Sequence, residues 1–364
     1  MKTKTPMFVF KPDSYTNNLE SLKNAFKKRM GGFMVGYSVK TNSHPLVLKV
    51  ALDNGCLAEV VSPYEYEKAI AAGFTPEKII YNGVCKDIEQ AYLATGRGIV
   101  NVDSVAEILA IDKYASHDIW IGVRLTFDIG NGVVSRFGIP IRSRDFQTLL
   151  EIDKHSDHIH IIGLSCHLTH ARDVESWRLR ARTMADVARK FKNIKYIDLG
   201  GNMYSPMDDR YAENFPDHVT FEEYAEAIAP EFKGLSCTLI LETGTPLIAN
   251  AMDLVCEVIG IKHNGDKTFI IVDASSYDIG IVCRHTKLSY DVEHTSGLWS
   301  SSFKNAAVVG YTCIEDDIIC EGFDAPVSVG DKITFHNVGA YSVSFASDFI
   351  MPKVEVCEEG EKIC

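Results

Sequence analysis

The chain contains 364 residues, 46% hydrophobic and 24% charged, which is the composition of an ordinary soluble globular protein with one or two domains. Its formal net charge of −12 argues against a nucleic-acid partner, because such a partner favours a basic face. No apolar run approaches the roughly 20 residues that a membrane-spanning helix needs, so we expect no membrane partner.

Ten cysteines are scattered along the chain without a C-x-x-C pair. In a chain of this length, that distribution is typical of reduced thiols, and the first residues lack the apolar segment of a signal peptide. We therefore expect a cytoplasmic protein. Cys166, His167 and His170 match no closed zinc pattern, so we predict no metal site.

The predicted elements alternate regularly after a short apolar strand at residues 8–10 and a helix at residues 15–29. Apolar strand-like runs then alternate with helical periodicity and short connections. The predicted strands cover residues 34–39, 57–62, 78–81, 99–102, 119–125, 159–166, 195–199 and 238–241. Eight such units predict a parallel (β/α)8 TIM barrel. A doubly wound open sheet is the alternative, but no G-x-G-x-x-G opens a helix.

The periodicity changes after residue 251. β-like runs at residues 254–262, 268–272, 307–311, 317–320 and 332–336 are separated by Gly, Asp and Asn. These runs predict a C-terminal all-β domain of Greek-key or sandwich-like type. We place the barrel domain at residues 14–252 and the β domain at residues 1–13 and 253–364. The strand at residues 8–10 needs a sheet partner, which the β domain would supply.

Lys40 follows the first barrel strand and precedes a helix that Pro45 opens. It therefore lies at the carboxyl end of the strand, which is where barrels place their chemistry. A partly desolvated lysine amine can bond to a carbonyl, including that of pyridoxal phosphate. A lysine that merely reaches the surface at a strand end is the structural alternative.

Polar residues follow the other predicted strands and should converge on the same cavity. They are Glu59, Ser62, Asn82, Arg124, His167, Gly200, Gly201, Asn202 and Glu242. The pair Gly200 and Gly201 would let backbone N–H groups approach a phosphate. Glu242 could keep a pyridine nitrogen protonated, and His167 could stack on a flat ring. Together with Lys40, these residues supply the groups of a pyridoxal phosphate site.

Several short motifs occur in an order that resembles one known family. They are Tyr37–Asn42 (Y-x-V-K-x-N), Ser135–Ile139 (S-[KR]-F-G-I), Gly163–His167, Asp198–Gly201, Leu241–Gly244 (similar to E-P-G-R), Gly310–Cys313 (G-x-x-C) and Gly339–Tyr341 (G-A-Y). Over nearly its whole length the chain resembles the alanine racemase-like, fold-type III pyridoxal phosphate decarboxylases. This group contains the diaminopimelate, ornithine and carboxynorspermidine decarboxylases.

The resemblance implies a role for each matching position. Lys40 would hold pyridoxal 5'-phosphate covalently, Glu242 would contact its pyridine nitrogen, and His167 would stack on its ring. Cys313 would enter the neighbouring subunit's site, so a homodimer with shared active sites is implied. The implied catalytic residues are Lys40, Cys313, Glu242 and His167, and the implied cofactor-binding residues are Lys40, Glu59, Arg124, His167, Gly200, Gly201, Asn202, Glu242, Thr243, Gly244, Thr245 and Tyr341.

The chain keeps most of the family's cofactor groups but departs from the pattern at positions that include a group that reads the far end of the substrate. Thr245 replaces the arginine of E-P-G-R, which in the diaminopimelate enzymes helps to hold the distal carboxylate, and Asn202 replaces the third glycine of the phosphate loop. We therefore expect decarboxylation of the α-carboxylate of a basic amino acid or of a larger amino-acid conjugate. The alternatives are an amino-acid racemase and a non-catalytic pyridoxal phosphate carrier.

Overall fold

A computed structural model describes residues 4–130, 132–169, 171–280, 287–295, 301–303 and 305–361 of the chain. The strands are β1 Met7–Phe10, β2 Phe33–Ser38, β3 Leu57–Val60, β4 Ile79–Tyr81, β5 Ile99–Val102, β6 Ile119–Thr126, β7 Ile139–Pro140, β8 Ile159–Leu168, β9 Tyr196–Gly201, β10 Thr238–Thr243, β11 Met252–Asn264, β12 Lys267–Val272, β13 Tyr290–Glu293, β14 Ala306–Val309, β15 Ile318–Phe323, β16 Lys332–Phe335 and β17 Glu355–Glu358. The helices are α1 Pro12–Lys27, α2 Pro45–Asp53, α3 Pro63–Ala71, α4 Ile88–Ala94, α5 Val105–Asp112, α6 Arg144–His155, α7 Val174–Ala188, α8 Asp209–Ala212, α9 Phe221–Ile228 and α10 Thr245–Ile248. Two compact units result, one of residues 17–204 and 217–246, the other of residues 1–16, 205–216 and 247–364.

The first unit is a closed barrel of parallel strands. Its order is β2, β3, β4, β5, β6, β8, β9 and β10, and β10 pairs with β2 to close the ring. The two-residue strand β7 pairs in parallel with the carboxyl end of β6, at Leu125 and Thr126. Barrel strands are covered on both faces, which explains why they are short, continuous apolar runs in the sequence. The predicted (β/α)8 fold is confirmed.

Local sequence signals start and stop the barrel helices. Ser62 and Ser104 cap α3 and α5, because their hydroxyl groups accept hydrogen bonds from the backbone N–H groups of Glu65 and Glu107, respectively. Thr220 and Glu223 form a reciprocal capping box at α9. Gly55 and Gly73 have positive φ angles just after α2 and α3, so the chain can turn back toward the next strand.

The second unit is built on a mixed sheet. Within it, β11 pairs with β1, β12 and β16, and the sheet continues through β14 and β15 on one side and β13 on the other. The strand predicted at residues 8–10 pairs antiparallel with β11 and parallel with β17, so its predicted sheet partner is confirmed. The sequence patterns predicted neither β13 nor β17, because two of the four residues in each strand are acidic.

Helix α6 was also not predicted from the sequence. The signal was present in the sequence, because Phe146, Leu149 and Leu150 have helical spacing, and two of them, Phe146 and Leu149, are buried. Ser143 caps it by accepting a hydrogen bond from the Phe146 N–H group. Among the helices that the structure describes, none is long and apolar enough to cross a lipid bilayer.

Candidate active site

Two layers of side chains fill the barrel. Leu57, Ile80, Tyr196 and Ile240 form a buried apolar cluster. A polar residue follows each of these four residues two positions later in the sequence. The four polar residues are Glu59, Asn82, Asp198 and Glu242. Residues two apart in a strand lie on the same face, so the polar layer lies directly on the apolar one, toward the carboxyl ends of the strands.

Lys40 is in the polar layer, in a short 3₁₀ turn at Val39–Thr41 that continues β2. Its Nζ atom donates a hydrogen bond to Oε2 of Glu59, and the lysine side chain is 29% exposed whereas the glutamate side chain is 1% exposed. Both line a cavity of about 500 Å³, a size typical of small-molecule sites. The ammonium group is therefore held at the cavity wall with access to whatever occupies the cavity.

Asn82 links the two carboxylates of the cavity. Its Nδ2 atom donates to Oε1 of Glu59 at 3.1 Å and also to Oε1 of Glu242. Burial raises the pKa of Glu59, but the charge of Lys40 and hydrogen bonds from Lys40, Asn82 and Ser38 outweigh burial and bring that pKa below its usual range. Glu59 is therefore ionised and holds the Lys40 amine in place.

His167, in β8, lines the same cavity. Burial, together with the charges of Lys40 and Arg124, lowers the pKa of this imidazole to about 3. The ring is therefore neutral at physiological pH. A neutral, flat imidazole at a cavity wall is suited to stacking on another ring.

Gly200 and Gly201 end strand β9 beside His167 and Glu242. A Cβ atom on Gly200 would lie 2.7 Å from His167 Cδ2 and still closer to Glu242 Oε2, so only glycine lets these two side chains pack against the backbone here. Gly201 has a φ angle of 142°, which other residues rarely adopt. The chain thus brings backbone groups close to the cavity at the place where a phosphate loop was predicted.

Arg180 holds this glycine turn from behind and was missed by sequence reasoning. It is fully buried in α7, and its guanidinium donates to the carbonyl oxygens of Gly200 at 3.0 Å and Leu168 at 3.2 Å. It also lies 4.0 Å from the centre of the Trp177 ring. Burial lowers the pKa of Arg180 to about 10, so the group remains charged. An arginine within an apolar helical pattern was the signal available in the sequence.

The remaining predicted residues of the barrel lie at the carboxyl ends of β9 and β10. Thr243 ends β10 and is buried, and Thr245 begins α10. Gly244 packs on Thr41, since a Cβ atom there would lie 2.7 Å from Thr41 Cβ. When the Asn202 amide is oriented with its oxygen toward Arg172, that oxygen accepts hydrogen bonds at 2.7 and 3.1 Å.

Arg124 belongs to the cavity and is held by neighbours on two sides. Its Nη1 atom lies 3.6 Å from Oδ1 of Asp103, and its guanidinium is 4.8 Å from the centre of the Phe137 ring. Phe137 belongs to the motif at Ser135–Ile139, which also lines the cavity. The cavity is otherwise largely apolar at this side, where Val133 and Val134 lie. His170 lies outside the described residues.

Cys313 and Tyr341 lie in the second unit. Cys313 is exposed in the segment between β14 and β15. That segment is fixed by buried Asp317, whose Oδ2 accepts from Thr312 Oγ1 at 2.6 Å. Tyr341 has a φ angle of 60°, an unusual backbone conformation for an aromatic residue and one that often marks functional sites.

Comparison with known proteins identifies the family. Residues 16–249 match the family described as pyridoxal-dependent decarboxylase, pyridoxal binding domain. The chain belongs to the pyridoxal-dependent decarboxylases. It is therefore an enzyme that uses pyridoxal phosphate to decarboxylate an amino acid, and the racemase and carrier alternatives are not supported.

Relatives of this decarboxylase match along almost the whole chain. A diaminopimelate decarboxylase of Zymomonas mobilis is 28% identical over 95% of this chain and 85% of the relative, and a probable chloroplastic diaminopimelate decarboxylase of Oryza sativa subsp. japonica is 27% identical over 95% and 73%. Solved structures show the same fold. Diaminopimelate decarboxylase from Helicobacter pylori complexed with L-lysine has a TM-score of 0.84 and 24% identity, covering 98% of this chain and 92% of that one. The Paramecium bursaria Chlorella virus arginine decarboxylase has a TM-score of 0.81 and 21% identity, covering 98% and 96%.

The residues present in this decarboxylase fit its cofactor. A neutral imidazole and a carboxylate, which both pack against Gly200, line the same cavity as a lysine amine. When bound, pyridoxal phosphate supplies an electron sink for the electron pair that the departing carboxylate leaves behind. Lys40 would hold the cofactor, Gly200 and Gly201 would approach its phosphate, and Glu242 and His167 would contact its ring.

Sequence reasoning gave no role to two further polar residues of the barrel. Asn101 and Asp198 are both buried and lie in β5 and β9. Each is a single polar residue inside an otherwise apolar strand, and that pattern was the available signal. Both belong to the hydrogen-bond network around Glu242.

Proposed function

We propose that this decarboxylase removes the α-carboxylate of a basic amino acid, or of a larger amino-acid conjugate, and releases carbon dioxide and an amine. Relatives named as diaminopimelate, arginine and lysine/ornithine decarboxylases support a substrate with a second nitrogen-containing group. Thr245, at the position where the diaminopimelate pattern has an arginine, supports a substrate without a distal carboxylate.

The observation that carries this proposal is the convergence of Lys40, His167 and Glu242 on one cavity. In our proposal Lys40 binds the cofactor and Glu242 holds a proton at the ring nitrogen. His167 covers the ring face and, being neutral, does not repel that proton. After the carboxylate leaves, Cys313 of a second subunit or Lys40 returns a proton to Cα.

We further propose that the enzyme is a cytoplasmic homodimer. The family resemblance of the Gly310–Cys313 and Gly339–Tyr341 motifs supports shared active sites. In such sites, Cys313 would enter the active site of the neighbouring subunit and Tyr341 would bind the cofactor. The unusual φ angle of Tyr341 is consistent with a functional role at that motif. Scattered cysteines, eight of which are free among the described residues, support a reducing compartment.

The decisive experiment is incubation of the purified protein with a panel of amino acids, scored for carbon dioxide and for the product amine by mass. We expect turnover of lysine, ornithine, arginine or an amine-bearing conjugate, and little turnover of diaminopimelate. Borohydride reduction followed by peptide mapping should place the cofactor on Lys40. A Lys49→Ala variant, altered at an exposed lysine of α2, should retain the label. No cofactor on Lys40 and no amine from any substrate would contradict the proposal.

A further inference from the structure

Two carboxyl groups lie side by side within the barrel. Asp198 in β9 is completely buried, and Glu242 in β10 is 5% exposed. The strands are neighbours, and Asp198 is the register partner of Ile240, two residues before Glu242 on the same strand face. Diagonal positions of this kind are within reach of side chains as long as glutamate.

Two asparagines supply all of their amide hydrogens to this cluster. Asn101 Nδ2 donates to Asp198 Oδ2 at 3.2 Å and to Asn82 Oδ1 at 2.9 Å. Asn82 Nδ2 donates to Glu242 and to Glu59, as described above. A side-chain amide has two N–H groups, so neither asparagine has one left for a further acceptor.

One oxygen of Asp198 is left over by this arrangement. In the part of the chain that the structure describes, Asp198 Oδ1 is buried and receives no hydrogen bond from an N–H or O–H donor. A buried carboxylate oxygen without a donor is costly, and two adjacent ionised carboxylates repel each other. A proton on Asp198 removes the repulsion, because only Glu242 is then ionised. It also turns the oxygen without a donor into a donor itself.

We propose that Asp198 is a positioning residue that carries a proton and donates it in a hydrogen bond to Glu242, fixing that carboxylate toward the ring nitrogen of the cofactor. The role of Glu242 in this statement rests on the proposed function, whereas the proton on Asp198 does not. No proton is transferred in this role. Asp198 keeps its proton and orients its neighbour.

The electrostatics of the pair agree with the geometry. Burial raises the pKa of Asp198 well above its usual range, and the neighbouring charge of Glu242 raises it further. Burial and the charge of Glu59 raise the pKa of Glu242, while Lys40 and the hydrogen bond from Asp198 act in the opposite direction. Asp198 is therefore the member of the pair that holds the proton.

The proton can be observed directly in the full chain. Wild-type protein labelled with 13C at aspartate carboxyl groups is studied by isotope-edited infrared spectroscopy, with the cofactor bound and after its removal. At mildly alkaline pH, Asp278, whose pKa is about 6, is ionised and does not interfere. We expect a protonated-acid band in both states that is absent from Asp198→Asn and present in the matched control Asp103→Asn. Wild-type protein without this band would overturn the proposal.

Two substitutions separate donation from mere filling of space. The amide of Asp198→Asn can donate to Glu242 as the protonated acid does, so we expect kcat within about threefold of wild type and an unchanged cofactor absorption spectrum. Asp198→Ala has no donor, and kcat should fall about tenfold or more with little change in KM, the scale of a hydrogen bond to a charged group. The cofactor spectrum should change with it. An Asn variant as impaired as the Ala variant would overturn the donor role.

These experiments, together with the kinetics of a Glu242→Gln variant, distinguish this inference from the proposed function. If the acid band belongs to Asp198 but Glu242→Gln leaves turnover unchanged, the role of Glu242 at the ring nitrogen fails while the proton on Asp198 stands. If the band is missing and Glu242→Gln abolishes turnover, the proposed function stands and the role of Asp198 fails.

Discussion

At the scale of single residues, burial sets the protonation of the groups around the cavity. Glu59 is buried but ionised because the positive charge of Lys40 and the hydrogen bond from Asn82 stabilise its carboxylate. His167 is neutral because burial and two nearby cations disfavour its protonated form. The protonation states of His167 and Glu59 therefore depend on the surrounding side chains and not on residue type alone.

Substitution of Glu242 tests the residue proposed to hold the ring nitrogen. Glu242→Gln keeps the size of the side chain but removes its charge, so we expect a bound cofactor and a kcat reduced about 100-fold, the scale of losing one preorganised electrostatic partner. Steady-state kinetics and cofactor absorbance measure this. The exposed Glu77→Gln variant is the control, and unchanged turnover at saturating substrate would contradict the role.

His167 should make the cofactor-free protein less stable in acid. From pH 6.5, its ordinary pKa, down to about 3, the unfolded chain binds a proton at this histidine that the folded chain does not. The free energy of unfolding therefore falls as pH falls through this window, by up to about 1.4 kcal/mol per pH unit. Urea unfolding at a series of pH values should show a shallower fall for His167→Gln than for wild type. Exposed His158→Gln should behave like wild type, and equal slopes for all three proteins would refute the assignment.

At the scale of elements, strand and helix cooperate to place the glycine turn. Strand β9 brings Gly200 to the cavity, and α7 holds that turn through Arg180, whose hydrogen bonds also reach the end of β8. A single buried arginine thus fixes the ends of two neighbouring strands. Because its partners are buried backbone carbonyls, loss of Arg180 removes the charged hydrogen bonds that these carbonyls accept.

Replacement of Arg180 should loosen the turn and weaken cofactor binding. For Arg180→Met we expect the free energy of unfolding to fall by about 3 kcal/mol, the scale of breaking a buried charged network. The dissociation constant of the cofactor, measured by fluorescence titration, should rise at least about tenfold. Arg182→Met, on the same helix but exposed and paired with Glu231, should change neither quantity by much. Wild-type affinity in Arg180→Met would show that the turn does not depend on α7.

At the scale of the whole molecule, the predicted catalytic residues are divided between the two units. Lys40, His167 and Glu242 belong to the barrel, and Cys313 belongs to the β unit. A proposed dimer with shared sites would bring Cys313 of one subunit to the barrel of the other. That arrangement has a consequence that mixing experiments can measure.

Inactive variants from different units should restore activity when their subunits exchange. A mixed dimer of Lys40→Ala and Cys313→Ala has one site with both changes and one with neither. Random exchange at equal amounts makes about half of the dimers mixed, so about a quarter of wild-type activity should return.

The matched control combines Lys40→Ala with Glu242→Gln. Both changes lie in the barrel, so each site of a mixed dimer contains one of them and no intact site forms. Activity measured after exchange should return in the first mixture alone. If exchange is demonstrated and neither mixture recovers, Lys40 and Cys313 act within one chain.

The sequence by itself determined the barrel, the strand ends and the cofactor class. Barrel strands are continuous apolar runs, and helix periodicity and caps are local patterns, so eight strands and the position of Lys40 could be predicted. The order of short motifs then identified a pyridoxal phosphate decarboxylase. All of this information lies within segments of a few residues.

Tertiary structure alone decided which polar groups meet. Asn82 and Glu242 are 160 residues apart in sequence, and closure of the barrel brings their side chains into contact. The roles of Asn101, Asp198 and Arg180 depend on such contacts, as do the protonation states of Glu59 and His167. A strand pattern predicts which face of the sheet a residue occupies. Only the packed barrel determines its hydrogen-bond partners and therefore its protonation state.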